Sequence, residues 1–96
     1  MPQFLILAED YKDENALNRR LAIRETHLQR MREEKKAGRF IIGGAKLNDR
    51  KNMYGSMLIL DLENENAVWK WLHVDPYFTA KVWEEIHIYP FKIADV

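Results

Sequence analysis

Ninety-six residues suffice for one domain and leave no room for a second. Fifteen Lys and Arg balance fifteen Asp and Glu, so the chain lacks the net positive charge on which nucleic-acid and anionic-membrane binding rest. Hydrophobic residues at 47% and charged residues at 31% match an ordinary soluble domain, and the absence of cysteine removes disulfide staples and thiolate metal sites.

The run Phe4 to Ala8 is β-prone and apolar on both alternating faces, as in a strand covered on both sides. It has no basic flank and meets Glu9-Asp10 at once. It is therefore too short for a secretory or membrane-spanning segment, and a cytoplasmic location is the default expectation. Asp13 is the expected N-cap of a helix beginning Glu14-Asn15-Ala16, with Lys35-Lys36 as its basic last turn and Gly38 as its C-terminal glycine. On that helix Leu17, Leu21, Leu28 and Met31 share a narrow stripe with Arg24 in its middle, which places His27 about 80° away at the margin.

Arg39 to Ile42 reads as a second strand ending at Gly43-Gly44, and Met57 to Leu62 as a third, with the polar loop Lys46 to Asn52 between them. Asn64 can cap a short helix whose Ala67, Val68, Trp71 and Leu72 share a face, until Pro76 ends it. Trp83 to Ile93 is a fourth strand, with Ile86 and Ile88 on one side and Trp83, Tyr89 and Phe91 on the other. The order β-α-β-β-α-β is that of an α+β, ferredoxin-like domain: a four-stranded antiparallel sheet with two helices on one face. Leu5/Leu7, Leu58/Leu60 and Trp83/Tyr89 are expected opposite Phe4/Ile6, Met57/Ile59 and Ile86/Ile88, so both sheet faces would be apolar while helices cover one. The bare face predicts sheet-to-sheet homodimerisation, which would also enlarge a thin core.

Among residues able to carry chemistry, Arg20, Arg24 and His27 follow one edge of the first helix. Nearby cations favour a neutral imidazole, the form a general base requires, and a carboxylate would fix its tautomer. Asp75 is the natural candidate for that carboxylate. Plainer roles exist for both: a boundary histidine packing its stem on the core, and an Asp-Pro helix start in which Asp75 caps the turn of Tyr77-Phe78. Capping with one oxygen leaves the other for His27. Gly43-Gly44 lets a ligand approach the backbone or marks a bulge, and Gly55-Ser56 offers N–H groups and a hydroxyl to the same region. There is no nucleophile elbow, phosphate loop, His-Glu-x-x-His pattern or RNA-recognition signature, so no metal, no cofactor and no nucleic-acid partner are expected.

The stretch Arg20-Leu21-Ala22-Ile23-Arg24-Glu25-Thr26-His27-Leu28, then Gly38-Arg39, Gly43-Gly44, Gly55-Ser56, Asp75-Pro76-Tyr77 and Pro90-Phe91-Lys92, resembles the YCII-related (YciI-like) family in order over nearly the whole chain. That resemblance implies a single domain over residues 1–96, a subunit pairing through its sheet into a dimeric α+β barrel, and an active site around a histidine and an aspartate that match His27 and Asp75. It also implies metal-independent, dehydrochlorinase-like chemistry for some members. The chain differs from the family pattern at Ala45, at Lys81 in place of a frequent glycine, and in a short loop from Lys46 to Met53. The combined expectation is a proton-transferring enzyme acting on a small cyclic or carbonyl-bearing substrate. Its base would be His27, oriented by Asp75, with Arg20, Arg24, Gly43, Gly44, Gly55 and Ser56 contacting the substrate. The competing expectation is a non-catalytic dimer that binds a small ligand in the same cleft.

Overall fold

Alternation of apolar side chains sets the sheet. In the computed structural model, which describes residues 1–96, β1 (Gln3–Asp10) buries every second side chain, namely Phe4, Ile6, Ala8 and Asp10. It is the inner strand between β3 (Met53–Asp61) and β4 (Trp83–Phe91), and β2 (Phe40–Leu47) pairs outside β3. The sheet order is β2-β3-β1-β4 and every pairing is antiparallel. This is the ferredoxin-like α+β arrangement. The long helix α1 (Ala16–Lys36) and the short α2 (Glu65–His73) make up the expected pair, and one further turn, α3 (Pro76–Thr79), follows α2.

The register corrects the assignment of faces. Phe4 and Ile6 stand opposite Leu60 and Leu58, and Ile6 and Ala8 opposite Ile88 and Ile86, so these residues share the core face. Leu5 and Leu7 stand opposite Ile59 and Met57, and Tyr89 and His87 join them on the other face. A bulge between Glu9 and Asp10 turns Trp83 back to the core, where it is 3% exposed, rather than leaving it with Tyr89. The second strand does not end at Gly43-Gly44. It bulges between Phe40 and Ile42 and runs through both glycines to Leu47, which reduces the expected loop to a tight turn between Asn48 and Asn52.

At the first helix, Asp13 lies two residues before the N-cap position, where its Oδ2 accepts the Asn15 N–H at 3.2 Å. Asn15 holds the N-cap position without a side-chain bond, while Asp13 binds Arg19 through both oxygens at 2.7 and 2.9 Å. Gly38 ends the helix at φ +80°, the left-handed conformation glycine tolerates best. Asn64 caps α2 as expected, accepting from the Ala67 N–H at 2.8 Å. The largest revision concerns which side of α1 is buried: Ala16, Arg20, His27 and Met31 face inward, while Arg24 is exposed and Leu21 is 52% exposed. The helix is turned by about 70° from the leucine stripe, because its polar side finds partners inside, and of the stripe leucines only Leu28 borders the cavity between α1 and the β2–β3 edge of the sheet. No helix is long and apolar enough to cross a membrane.

Candidate functional site

Two polar clusters lie along the buried side of α1. At the first, His27 Nδ1 meets Asp75 Oδ1 at 2.8 Å, with the two side chains 7% and 0% exposed. Pro76 starts α3, and Asp75 caps it by accepting the Tyr77 N–H at 2.8 Å. The same Oδ1 serves both His27 and the cap. The second oxygen is not left for the histidine: Oδ2 accepts from Arg30 at 2.9 Å. A carboxylate that accepts from a backbone N–H and a guanidinium also accepts from the imidazole, so Nδ1 carries a proton, and in the neutral tautomer that this bond selects the lone pair is on Nε2. Tyr77 stacks on the imidazole at 3.8 Å between centroids, 9° from parallel, and the Trp83 ring stands on edge to it at 5.9 Å. The ring is held from one side by the carboxylate and from two others by aromatic walls.

The second cluster surrounds Arg20, which is 2% exposed. Its Nη1 donates to both Asp10 oxygens at 3.0 Å, and its Nη2 donates to the Gly55 carbonyl at 2.9 Å and to Ser56 Oγ at 2.8 Å. The guanidinium also lies 4.6 Å over the Tyr77 ring. Burial pushes the Asp10 carboxyl above its ordinary value, an effect that Arg20 opposes without overcoming. Burial likewise raises the Tyr77 hydroxyl, which therefore stays protonated.

Between α1 and the β2–β3 edge of the sheet is a cavity of about 180 Å³, lined by Arg20, Arg24, His27 and Ser56 together with apolar side chains that include Leu28, Met31 and Phe40. An apolar space of this size holds a ligand about as large as one substituted ring. Gly43 and Gly44 line it as well, for different reasons. A Cβ on Gly43 would stand 2.6 Å from the Met57 carbonyl oxygen and 2.9 Å from the Phe40 ring, whereas one on Gly44 would meet nothing. Gly55 is not a wall residue; its carbonyl anchors Arg20, and a Cβ there would collide with the Ala8 carbonyl oxygen. Arg24 makes no hydrogen bond or ion pair with the protein, while the charge of Arg20 is tied to Asp10, so the free cation at the cavity is Arg24. No group of three His, Cys, Asp or Glu side chains is placed to hold a metal ion.

The site residues expected from the sequence omit Arg30, Tyr77 and Trp83. Arg30, three residues after His27 on the same helix, is the one the spacing signals, because i and i+3 side chains reach the same neighbour. Trp83 was hidden by the bulge that reverses its direction.

Residues 3–92 match the family model described as YCII-related domain. A Haemophilus influenzae protein of uncharacterised function and Protein YciI of Escherichia coli are each 33% identical to the chain over 95 residues, covering 93% of it and 95% of the relative. Among solved structures, the 5-chloro-2-hydroxyhydroquinone dehydrochlorinase TftG of Burkholderia phenoliruptrix, in complex with 2,5-dihydroxybenzoquinone, superimposes with a TM-score of 0.81 at 26% identity. That match covers 96% of this chain and 95% of the enzyme. The chain belongs to the YCII-related family.

Proposed function

We propose that this YCII-related protein is a small homodimeric enzyme in which His27 Nε2 takes a proton from a small cyclic or carbonyl-bearing substrate bound in the α1–β2 cavity. The observation that carries the reading is the clamping of Asp75. With three donors fixed on the carboxylate, it acts only as an acceptor, and the imidazole beside the cavity is held with its basic nitrogen free. A C–H or O–H bond of the substrate breaks, the proton moves to Nε2, and the electron pair stays on the substrate as an enolate or phenolate. Arg24 is the uncommitted cation able to stabilise that charge. The proton then returns from Nε2 to another atom of the substrate or passes to water. The likeness to a dehydrochlorinase bound to a quinone supports a ring-shaped substrate.

Release of chloride from 5-chloro-2-hydroxyhydroquinone and solvent hydrogen exchange into small cyclic ketones are suitable assays. His27→Ala is expected to lower either rate by about 100-fold or more. An unchanged rate in His27→Ala contradicts the mechanism, and a ligand that raises the melting temperature of the wild type without any turnover favours a binding module instead. The homodimer in this reading forms through the uncovered sheet face, which carries Leu5, Leu7, Met57, Ile59 and Tyr89.

A further inference from the structure

The donor and acceptor inventory around Ser56 leads beyond the base. Ser56 is 3% exposed and sits on β3 between Ala8 of β1 and Ala45 of β2, and Ala45 borders the cavity beside it. Its Oγ receives two hydrogen bonds, from Arg20 Nη2 at 2.8 Å and from Trp83 Nε1 at 3.0 Å. A guanidinium and an indole N–H can only donate, and a hydroxyl has two lone pairs and one hydrogen. Both lone pairs are thus committed and the hydrogen must be given away, yet neither hydrogen bond made by Ser56 Oγ uses it. Ser56 borders the same cavity as His27. Neither donor is free to swing aside. Arg20 is fastened to Asp10 and Gly55, and the Trp83 ring is wedged edge-on against Tyr77 at 5.6 Å.

We infer that Ser56 is an obligatory hydrogen-bond donor that selects a ligand carrying an anionic, acceptor-only oxygen, with Arg20 and Trp83 as the positioning residues that force its proton toward the cavity. The inference rests on the reading of this cavity as the substrate site and names what the substrate presents to it: a phenolate, enolate or carboxylate oxygen at Ser56 and a transferable proton at His27. Two donors on Oγ, one of them charged, polarise the O–H bond and strengthen its bond to an oxyanion. A ligand hydroxyl that must itself donate finds no lone pair at Ser56.

The test compares binding of 4-nitrophenolate with that of 4-nitrotoluene, a probe of similar shape without the oxygen, by titration calorimetry at a pH where the phenol is ionised. The wild type is expected to prefer the phenolate by at least about tenfold, and Ser56→Ala to lose about tenfold in phenolate affinity while binding nitrotoluene within about twofold. Trp83→Phe leaves the hydroxyl in place but frees one lone pair, and it is expected to shrink the preference by about threefold. The absorption band of the bound phenolate should move to shorter wavelength in the wild type relative to Ser56→Ala. The inference is overturned by a preference that Ser56→Ala leaves intact, or by equal loss of both probes, which would make Ser56 a packing residue. A Ser56-dependent preference alongside turnover indifferent to His27→Ala would instead discard the proton-transfer reading and leave this inference standing.

Discussion

Asp75 has no exposed surface, and both of its oxygens are occupied, Oδ1 by His27 of α1 and the Tyr77 N–H of α3, and Oδ2 by Arg30 of α1. Its charge is therefore compensated in place, and Arg30 supplies the only full cation in contact with it. That cation is itself seated on the Trp71 ring at 4.0 Å and bonded to the Trp71 carbonyl at 2.8 Å. Replacing Arg30 by Gln leaves Oδ2 buried with a weaker partner or none. The expected cost is about 1–3 kcal/mol of stability in denaturant unfolding, with Arg30→Lys recovering part of it. In turnover assays the same variant should lower kcat more than it raises KM, because a loosened carboxylate misorients the imidazole without touching the substrate. Arg20 follows the same logic. The arginine in the middle of the leucine stripe is Arg24, and it is exposed, whereas the buried Arg20 is paired with Asp10 at 3.0 Å.

The elements reveal how the sheet and helices hold that side-chain arrangement. Glu34 of α1 binds Arg39 through both oxygens, at 2.8 and 2.6 Å, and also accepts from the Trp71 indole N–H, clasping α1 to α2 above the dyad. The bonds from Arg39, with help from Trp71, hold the Glu34 carboxyl below its ordinary value of 4.5. The stability this clasp contributes is complete above that value and is lost as the pH falls through the lower folded value. Melting temperatures followed downward from about pH 5 should therefore fall more steeply in the wild type than in Glu34→Gln, which has no such proton to take up. Two residues before β4, Lys81 sits at φ +59°, a left-handed conformation that glycine adopts without strain. Lys81→Gly should relieve that conformation and raise stability by up to about 1 kcal/mol in denaturant unfolding. Element existence and order were legible in the sequence because Phe4 to Ala8, Asn64 and Asp75-Pro76 carry strong local signals. The length of β2 was not. Gly43-Gly44 reads as a stop, whereas the chain continues because a Cβ-free backbone is what lets Gly43 pass the Met57 carbonyl.

At the scale of the whole molecule, one face of the sheet is packed by helices and the other is bare. Met57 and Ile59 of the bare face neighbour Leu7 and Leu5, and the exposed Tyr89 and Ile42 extend it to both sides. If two copies close over this face, the wild type runs at twice the chain mass in light scattering at micromolar concentration. Met57→Glu, which places a charge in the middle of the face, should then run as a single chain with its helical signal unchanged. Apolar alternation on both faces made this surface legible in the sequence. The pairing of His27 with Asp75 was less so, since forty-eight residues separate them and only the α1 rotation brings them together. That rotation could not be read from periodicity, because what turns the helix is the set of internal partners for Arg20 and His27 rather than its leucines. The proposed chemistry depends above all on the imidazole tautomer, and nitrogen-15 NMR of histidine-labelled protein measures it directly. In the neutral His27 ring the proton should be on Nδ1, with Nε2 at the shift of an unprotonated nitrogen, and Asp75→Asn should mix or reverse the two. A wild-type ring protonated on Nε2, unaltered by Asp75→Asn, would contradict the role of His27 as the base.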